Sequence, residues 1–377
     1  MRYCYHRTYM GSVRRLSRRS LLVSALAATR LAGQTGKGAQ FPAESRRYED
    51  PATELTVFRL TDPSYTSLLP AAYNRAIARN DGWMVYSCDR TGSQQIFRMD
   101  LKTAQIRQLT DVEGLDPASV TLTPDNRSVC FFAGRTLLVM AVGNLRERQI
   151  YTVAEGWERL PGLSVGPDGT HATFCESRGG GSRLRMVSLG QGMASTVVEA
   201  PFAMADPIAR PMRAQILYRQ GEEALWLVNS DGQQNRKLKV APGGIRQADW
   251  APDGKTLLYL NIPEDRRELS AIREHTPDSN TDKLVAKTSQ FASFHFNHDT
   301  SVFVGASRNV GSPYVLLMLR VTRRELTLCE HKASRAELVA PRFSPDSQRV
   351  YFQSDRHGKP AIYDMHLEKL VEKTDEG

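Results

Sequence analysis

Pro124-Asp125, Pro167-Asp168, Pro252-Asp253 and Pro345-Asp346 each lead through a short polar turn into an apolar run of β type. Proline presets φ at such a turn, and the aspartate accepts local backbone hydrogen bonds, so these acids read as turn formers rather than catalytic acids. Successive aspartates stand 43, 85 and 93 residues apart, and the two longer steps each hold one degenerate copy, in residues 207–218 and at Asn297-His298-Asp299. Asn80-Asp81-Gly82, 44 residues before Asp125, is the earliest copy and brings the number to seven. A period of roughly 40–50 residues with several short strands per unit is the signature of propeller blades. The chain is therefore expected to be all-β, a seven-bladed β-propeller.

The first copy spells out one blade. Trp83-Met84-Val85-Tyr86-Ser87 is a strand, Asp89-Arg90-Thr91-Gly92-Ser93 a turn, Gln95-Ile96-Phe97-Arg98-Met99 the next strand, and Gln105-Ile106-Arg107-Gln108-Leu109 the outer one. Asp-Arg-x-Gly between alternating runs signals a hairpin. The last copy repeats the pattern from Val350 to Tyr363 and then runs out, which leaves its blade short of an outer strand. Leu55-Thr56-Val57-Phe58-Arg59-Leu60 can supply that strand and close the ring without exposed sheet edges. The resulting division is a leader over 1–33, a linker over 34–54 that wraps the outside, the propeller over 55–366, and a charged tail over 367–377.

A net charge of +9 suggests a nucleic-acid partner only until the charges are located. Residues 1–33 hold seven arginines and no acid, and no other dense basic block with interleaved aromatics follows, so no nucleic-acid partner is expected. Ser17-Arg18-Arg19-Ser20-Leu21-Leu22 and the weakly apolar run after it read as a twin-arginine export signal, cleaved within 28–33, with Met10 an alternative start. No later stretch approaches 18 apolar residues, so no integral membrane segment is expected, and the localisation expected is periplasmic or secreted. Cys88, Cys130 and Cys175 recur at similar places in three repeats and read, with Cys329, as small buried hydrophobes rather than disulfide partners. Arg90, Arg178, Arg219, Arg308 and Arg356 recur at blade-equivalent positions, which points to turn or inter-blade pairing. Gly179-Gly180-Gly181 reads as a hairpin tip, and the chain has no G-x-S-x-G, P-loop or H-E-x-x-H motif.

The turn chemistry is similar to that of the TolB propeller. Longer stretches are more specific: Tyr48-Glu49-Asp50-Pro51-Ala52-Thr53, Leu225-Trp226-Leu227-Val228-Asn229-Ser230-Asp231-Gly232 with Arg236-Lys237-Leu238, and Gly358-Lys359-Pro360-Ala361-Ile362-Tyr363 resemble oligogalacturonate lyases, across about 41–365. The resemblance implies a propeller that splits short pectin fragments by β-elimination, with an axial metal ion, typically manganese, a histidine base and an assisting arginine. It places the arginine at Ala224 and the base at Gln247, and the three histidines and one glutamine that hold the metal at Ser293, Arg335, Leu338 and Ala340. None of these six residues is of the family's type, so the family reaction is not expected in its metal-and-histidine form, no resident cofactor is expected, and manganese enters by analogy alone. Gln290, His295 and His298 lie close to the blade-six ligand position, the two histidines being a candidate metal pair. Arg219, Arg246, Arg335 and Arg342 are the candidates for binding a uronate carboxylate, Arg335 first among them because it stands near the metal position. Two readings of function follow. One is a propeller that binds or acts on acidic oligosaccharides; the other is a non-catalytic, TolB-like module that docks a protein or another component of the cell envelope.

Overall fold

The Pro-Asp turns have one local geometry. The carboxylates of Asp125, Asp168, Asp253 and Asp346 each accept the backbone N–H two residues on, at 2.9–3.0 Å. The residue after each aspartate takes a left-handed conformation, with φ of 60°, 72°, 66° and 63° at Asn126, Gly169, Gly254 and Ser347. The degenerate copies keep this bend: Thr300 has φ of 60° and Met212 has φ of 58°, the latter in Arg210-Pro211-Met212, where the acid is absent. Only Gly254 also needs its missing side chain, because a Cβ there would run into the Pro211 carbonyl of the neighbouring turn.

These turns join the inner two strands of seven antiparallel sheets in a computed structural model that describes residues 36–265, 267–288 and 291–367. Blade 1 runs outward from Ser67–Leu68 through Trp83–Cys88 and Gln95–Asp100 to Ile106–Gln108. Blades 2 to 6 have inner strands at Thr121–Leu122, Glu158–Val165, Met204–Ala209, Gly244–Trp250 and Phe291–Phe296. Blade 7 takes Arg342–Phe343, Arg349–Ser354 and Ala361–His366 from the end of the propeller and its next strand, Thr56–Arg59, from the beginning. The ring therefore closes as the sequence predicts, with Phe58 opposite Asp364 and Arg59 opposite Tyr363. The linker does more than wrap: Gln40–Phe41 and Arg46–Glu49 add fifth strands outside blades 1 and 7. Short polar segments cap the sheet edges there, which the proline-interrupted sequence did not reveal. The leader and all of the tail except Leu367 lie outside the described residues.

Seven buried clusters hold the ring, and each sits in the seam between two blades. Val85 and Ile96 of blade 1 meet Leu122 and Val129 of blade 2, and Leu258 and Leu260 of blade 5 meet Phe291 and Phe303 of blade 6. Val57 of the closing strand packs with Val304 and Val315 of blade 6 and Val350 and Phe352 of blade 7. Cys88, Cys130, Cys175 and Cys329 are buried free thiols in four of these seams, as expected of small hydrophobes.

The five repeated arginines also take structural roles. Arg90 forms a fork on Glu44 of the linker at 2.6 and 2.7 Å, and Arg178 lies 4.6 Å over the Trp157 ring. Arg308 donates to the Phe291 carbonyl, and Arg356 to that of Glu330 in the preceding blade.

Candidate functional site

The axial space is crossed by residues 69–76, the segment between the inner strand of blade 1 and its Asn-Asp-Gly turn. Tyr73 donates to Asp206 of blade 4 at 2.9 Å, the amide of Asn74 donates to the Ala118 carbonyl of blade 2, and Gln353 of blade 7 accepts the Leu69 N–H at 2.8 Å. One chain segment thus ties blades on three sides of the axis. Burial, followed by the Asp206 carboxylate, holds the Tyr73 hydroxyl far above the usual phenol range.

Beside this crossing lies a cavity of about 310 Å³, at the small end of the range for ligand sites. Its ionisable groups come from four elements: Tyr73 and Arg75 of the crossing segment, Asp249 of blade 5, His295 and His298 of blade 6, and Arg342 of blade 7. Asp249, His295 and Arg342 stand on three consecutive inner strands, so blade geometry alone brings them together.

Arg342 is buried. Its two terminal nitrogens donate to the carbonyls of Pro70, at 2.6 Å, and Asn74, at 3.4 Å, while its buried Nε has no partner. Burial brings the guanidinium down to about 10, with Asp249 acting in the opposite direction. Asp249 accepts the backbone N–H of Trp250 through one oxygen at 2.8 Å, and burial raises its carboxyl to about 7 against the weaker lowering effects of that bond and of Arg342. His295 is pushed down to about 3 by burial and then by Arg342, so its ring is neutral. The Phe343 N–H donates to its Nδ1 at 3.4 Å, which assigns the proton of the neutral ring to Nε2.

The six positions assigned by the resemblance lie elsewhere. Gln247 stands two residues before Asp249 on the same inner strand, and its amide clips blade 5 to blade 6, donating to the Phe294 carbonyl at 2.6 Å and accepting its N–H at 3.3 Å. Ser293 stands two residues before His295, buried, with an unpartnered hydroxyl. Ala224 is buried at the start of the third strand of blade 4. Arg335 is exposed, Leu338 is 43% exposed in the short 3₁₀ turn after it, and Ala340 has φ of 42° just before the inner strand of blade 7. A manganese ion asks for several oxygen or imidazole donors. Ser293 offers one neutral hydroxyl, Leu338 and Ala340 offer no side-chain donor, and Arg335 is a cation, so these four side chains do not fit such an ion. Among the described residues no group of three or more His, Cys, Asp or Glu could hold a metal. His298 bonds Ser347 through its ring at 2.9 Å while His295 faces the Phe343 backbone, so the two do not form a pair of ligands. Gln290 lies outside the described residues.

Of the four candidate arginines, the structure brings only Arg342 to the cavity. Arg219 spends its terminal nitrogens on the backbone carbonyls of Ile245 and Arg246 in the next blade. Arg246 faces Glu222 at 3.4 Å on the surface, and Arg335 makes no contact that aims it at the cavity. Sequence reasoning missed Asp249 and Tyr73. The signal for Asp249 was present: in Gln247-Ala248-Asp249-Trp250 the alternation of a strand puts a carboxylate on the same side as the position assigned to the base.

The family model for oligogalacturonate lyase matches residues 35–176. Two curated relatives, an oligogalacturonide lyase of Pectobacterium atrosepticum and an oligogalacturonate lyase of Dickeya dadantii, are each 23% identical over 87% of this chain and 97% of their own. Among solved structures, an oligogalacturonate lyase in complex with manganese superposes with a TM-score of 0.84 at 23% identity, covering 89% of this chain and 99% of that one. The oligogalacturonate lyase of Vibrio parahaemolyticus superposes with a TM-score of 0.83 at 22% identity, covering 89% and 100%. The family match, the two relatives aligned along most of both chains and the shared fold bear out the resemblance to the oligogalacturonate lyases, with a seven-bladed propeller as its frame.

Proposed function

We propose that this chain is an oligogalacturonate-lyase-like propeller that takes an acidic sugar oligomer, of the kind released from pectin, into its axial cavity. One observation carries the reading: the buried guanidinium of Arg342 lines the cavity, its terminal nitrogens are held by backbone carbonyls, and among the described residues no carboxylate is hydrogen-bonded to it. A buried charge without a hydrogen-bonded counter-ion is costly, and a uronate carboxylate is the group that supplies one through a charge-assisted bond. In this reading the metal ligands and the histidine–arginine pair of the family are replaced at Ser293, Arg335, Leu338, Ala340, Gln247 and Ala224, and carboxylate recognition passes from a metal ion to a guanidinium. The relatives' names supply the substrate class. The twin-arginine leader is read as sending the folded protein to the periplasm or beyond, where such fragments are met.

Calorimetry of the mature protein with di- and trigalacturonate, against neutral galactose oligomers of the same length, tests this reading. Binding of the acidic oligomers only, weakened at least tenfold in Arg342→Met and less in Arg342→Lys, is expected. Equal binding of neutral and acidic oligomers, or binding that is indifferent to Arg342, would overturn it. Binding of neither would favour the envelope-docking module.

A further inference from the structure

We infer that Asp249 is the proton-transfer residue of a β-elimination that runs without a metal, with Arg342 and His295 holding the substrate carboxylate. This rests on the carbohydrate reading above and extends it from binding to reaction.

The geometry supplies three different functions from three neighbouring inner strands. Asp249 has one oxygen committed to the Trp250 N–H, and among the described residues no other hydrogen bond to its carboxylate is found, so its second oxygen is available to the cavity. Arg342 brings to the cavity a guanidinium bonded to backbone carbonyls only, and His295, with Nδ1 engaged by Phe343, offers Nε2–H. Two donors of this kind suit the two oxygens of a uronate carboxylate. They become more favourable as negative charge moves onto those oxygens during loss of the adjacent C5 proton. The charged and titratable groups that line the cavity with Asp249 are Tyr73 and Arg75 from the crossing segment, His295 and His298 from blade 6, and Arg342 from blade 7, of which Arg342 acts on its charge. No other carboxylate lines the cavity.

The step balances between the substrate, Asp249 and solvent water. The ionised carboxylate of Asp249 takes the C5 proton, the electron pair left behind forms the C4–C5 double bond, and the C4–O4 bond breaks. The departing oxygen, on the ring face opposite the C5 proton, takes a proton from solvent water, and the Asp249 carboxyl returns its own to solvent, which restores the carboxylate and keeps protons and electrons in balance. A base is most effective when its affinity for protons lies near the working pH, and burial has moved Asp249 into that region. The base that the resemblance assigns would stand one side-chain row away on the same strand, at Gln247, whose amide is consumed by Phe294.

Turnover of digalacturonate, followed by the ultraviolet absorbance of the unsaturated product in the presence of a chelator, tests the inference alongside calorimetric binding of the same sugar. The wild type is expected to turn over in chelator, with a rate that rises through an apparent midpoint near neutrality. Asp249→Asn should bind within about threefold of wild type yet lose about 10²–10⁴ in kcat together with the pH-dependent rise, the range for removal of a general acid–base group. His295→Gln should raise KM and lower kcat while keeping the midpoint. Binding without turnover in the wild type, turnover that appears only with added manganese, or an Asp249→Asn rate equal to wild type would each overturn the inference while leaving the binding reading intact. Absence of binding in the wild type would overturn the reading on which it rests.

Discussion

Asp249 shows how far one side chain can be moved by its surroundings. Its carboxyl stands at about 7 in place of the usual 3.8, because burial disfavours the charged form and the Trp250 N–H and Arg342 compensate only in part. The folded-state value is raised, so the folded protein binds this proton more tightly than the unfolded chain does. Stability associated with the neutral form is therefore complete below about pH 4 and is lost as pH rises towards 7. Asp249→Asn, which cannot ionise, should be more stable than wild type at pH 8 by roughly 2–4 kcal/mol, and the difference should vanish near pH 4. Urea unfolding at the two pH values measures it; equal stabilities at pH 8 would show that the carboxylate is better solvated than its burial implies. Gain of stability with loss of turnover would mark Asp249 as a group kept for function. At this scale the sequence was a partial guide: Arg342 was legible as one of four arginines, but its selection depended on carbonyls at Pro70 and Asn74, far along the chain.

Strands and turns were the most legible elements, because their signals are local. The Pro-Asp turn can be read from a few residues, and even Arg210-Pro211-Met212, without the acid, bends in the same way. Its missing anchor is replaced by Arg210, which is buried, donates to the Gly254 carbonyl of the next turn at 2.7 Å and makes a bidentate contact with Asp278. The fifth strands at Gln40–Phe41 and Arg46–Glu49 were not legible, since their pairing partners stand far off in sequence. Within blade 6, Gly305 on the second strand lies against the Phe291 ring so closely that a Cβ would collide with it. Overpacking at such a point costs about 1–3 kcal/mol, since the ring and the strand must shift together. Gly305→Ala should therefore lower the unfolding free energy by about that amount. Calorimetric melting would check it, and an unchanged midpoint would mean that Phe291 repacks freely.

The ring as a whole depends on its closure. Thr56–Arg59 pairs with Ala361–His366, Leu60 donates to the Ile362 carbonyl at 2.8 Å, and Thr61 accepts the Ile362 N–H at 3.0 Å. Removing residues 36–60 would expose the last strand of blade 7 as an open edge and uncover the seam that Val57 fills. Removing only 36–49 would delete the two fifth strands and the Glu44 fork on Arg90 but leave closure intact. The longer deletion should aggregate or unfold without cooperativity, whereas the shorter should elute as the parent does and melt in one transition at a lower temperature. Size-exclusion chromatography with thermal melting separates the cases; a soluble, cooperative 36–60 deletion would show that six blades and a partial seventh suffice. The crossing segment 69–76 belongs to this scale too, because its bonds reach blades 2, 4 and 7 at once.

By itself the sequence determined the number of blades, the turn role of the repeated aspartates, the closing strand and the burial of the four cysteines. Each of these follows from a period, an alternation or a turn signal that a short window of residues carries. Only the tertiary structure decided which ionisable groups meet. It chose Arg342 over Arg219, Arg246 and Arg335, and it placed Asp249 and His295 beside Arg342. The reason is physical: a side chain's desolvation and its partners are set by neighbours on other blades, as far away in sequence as the 272 residues between Pro70 and Arg342, and no local pattern records them.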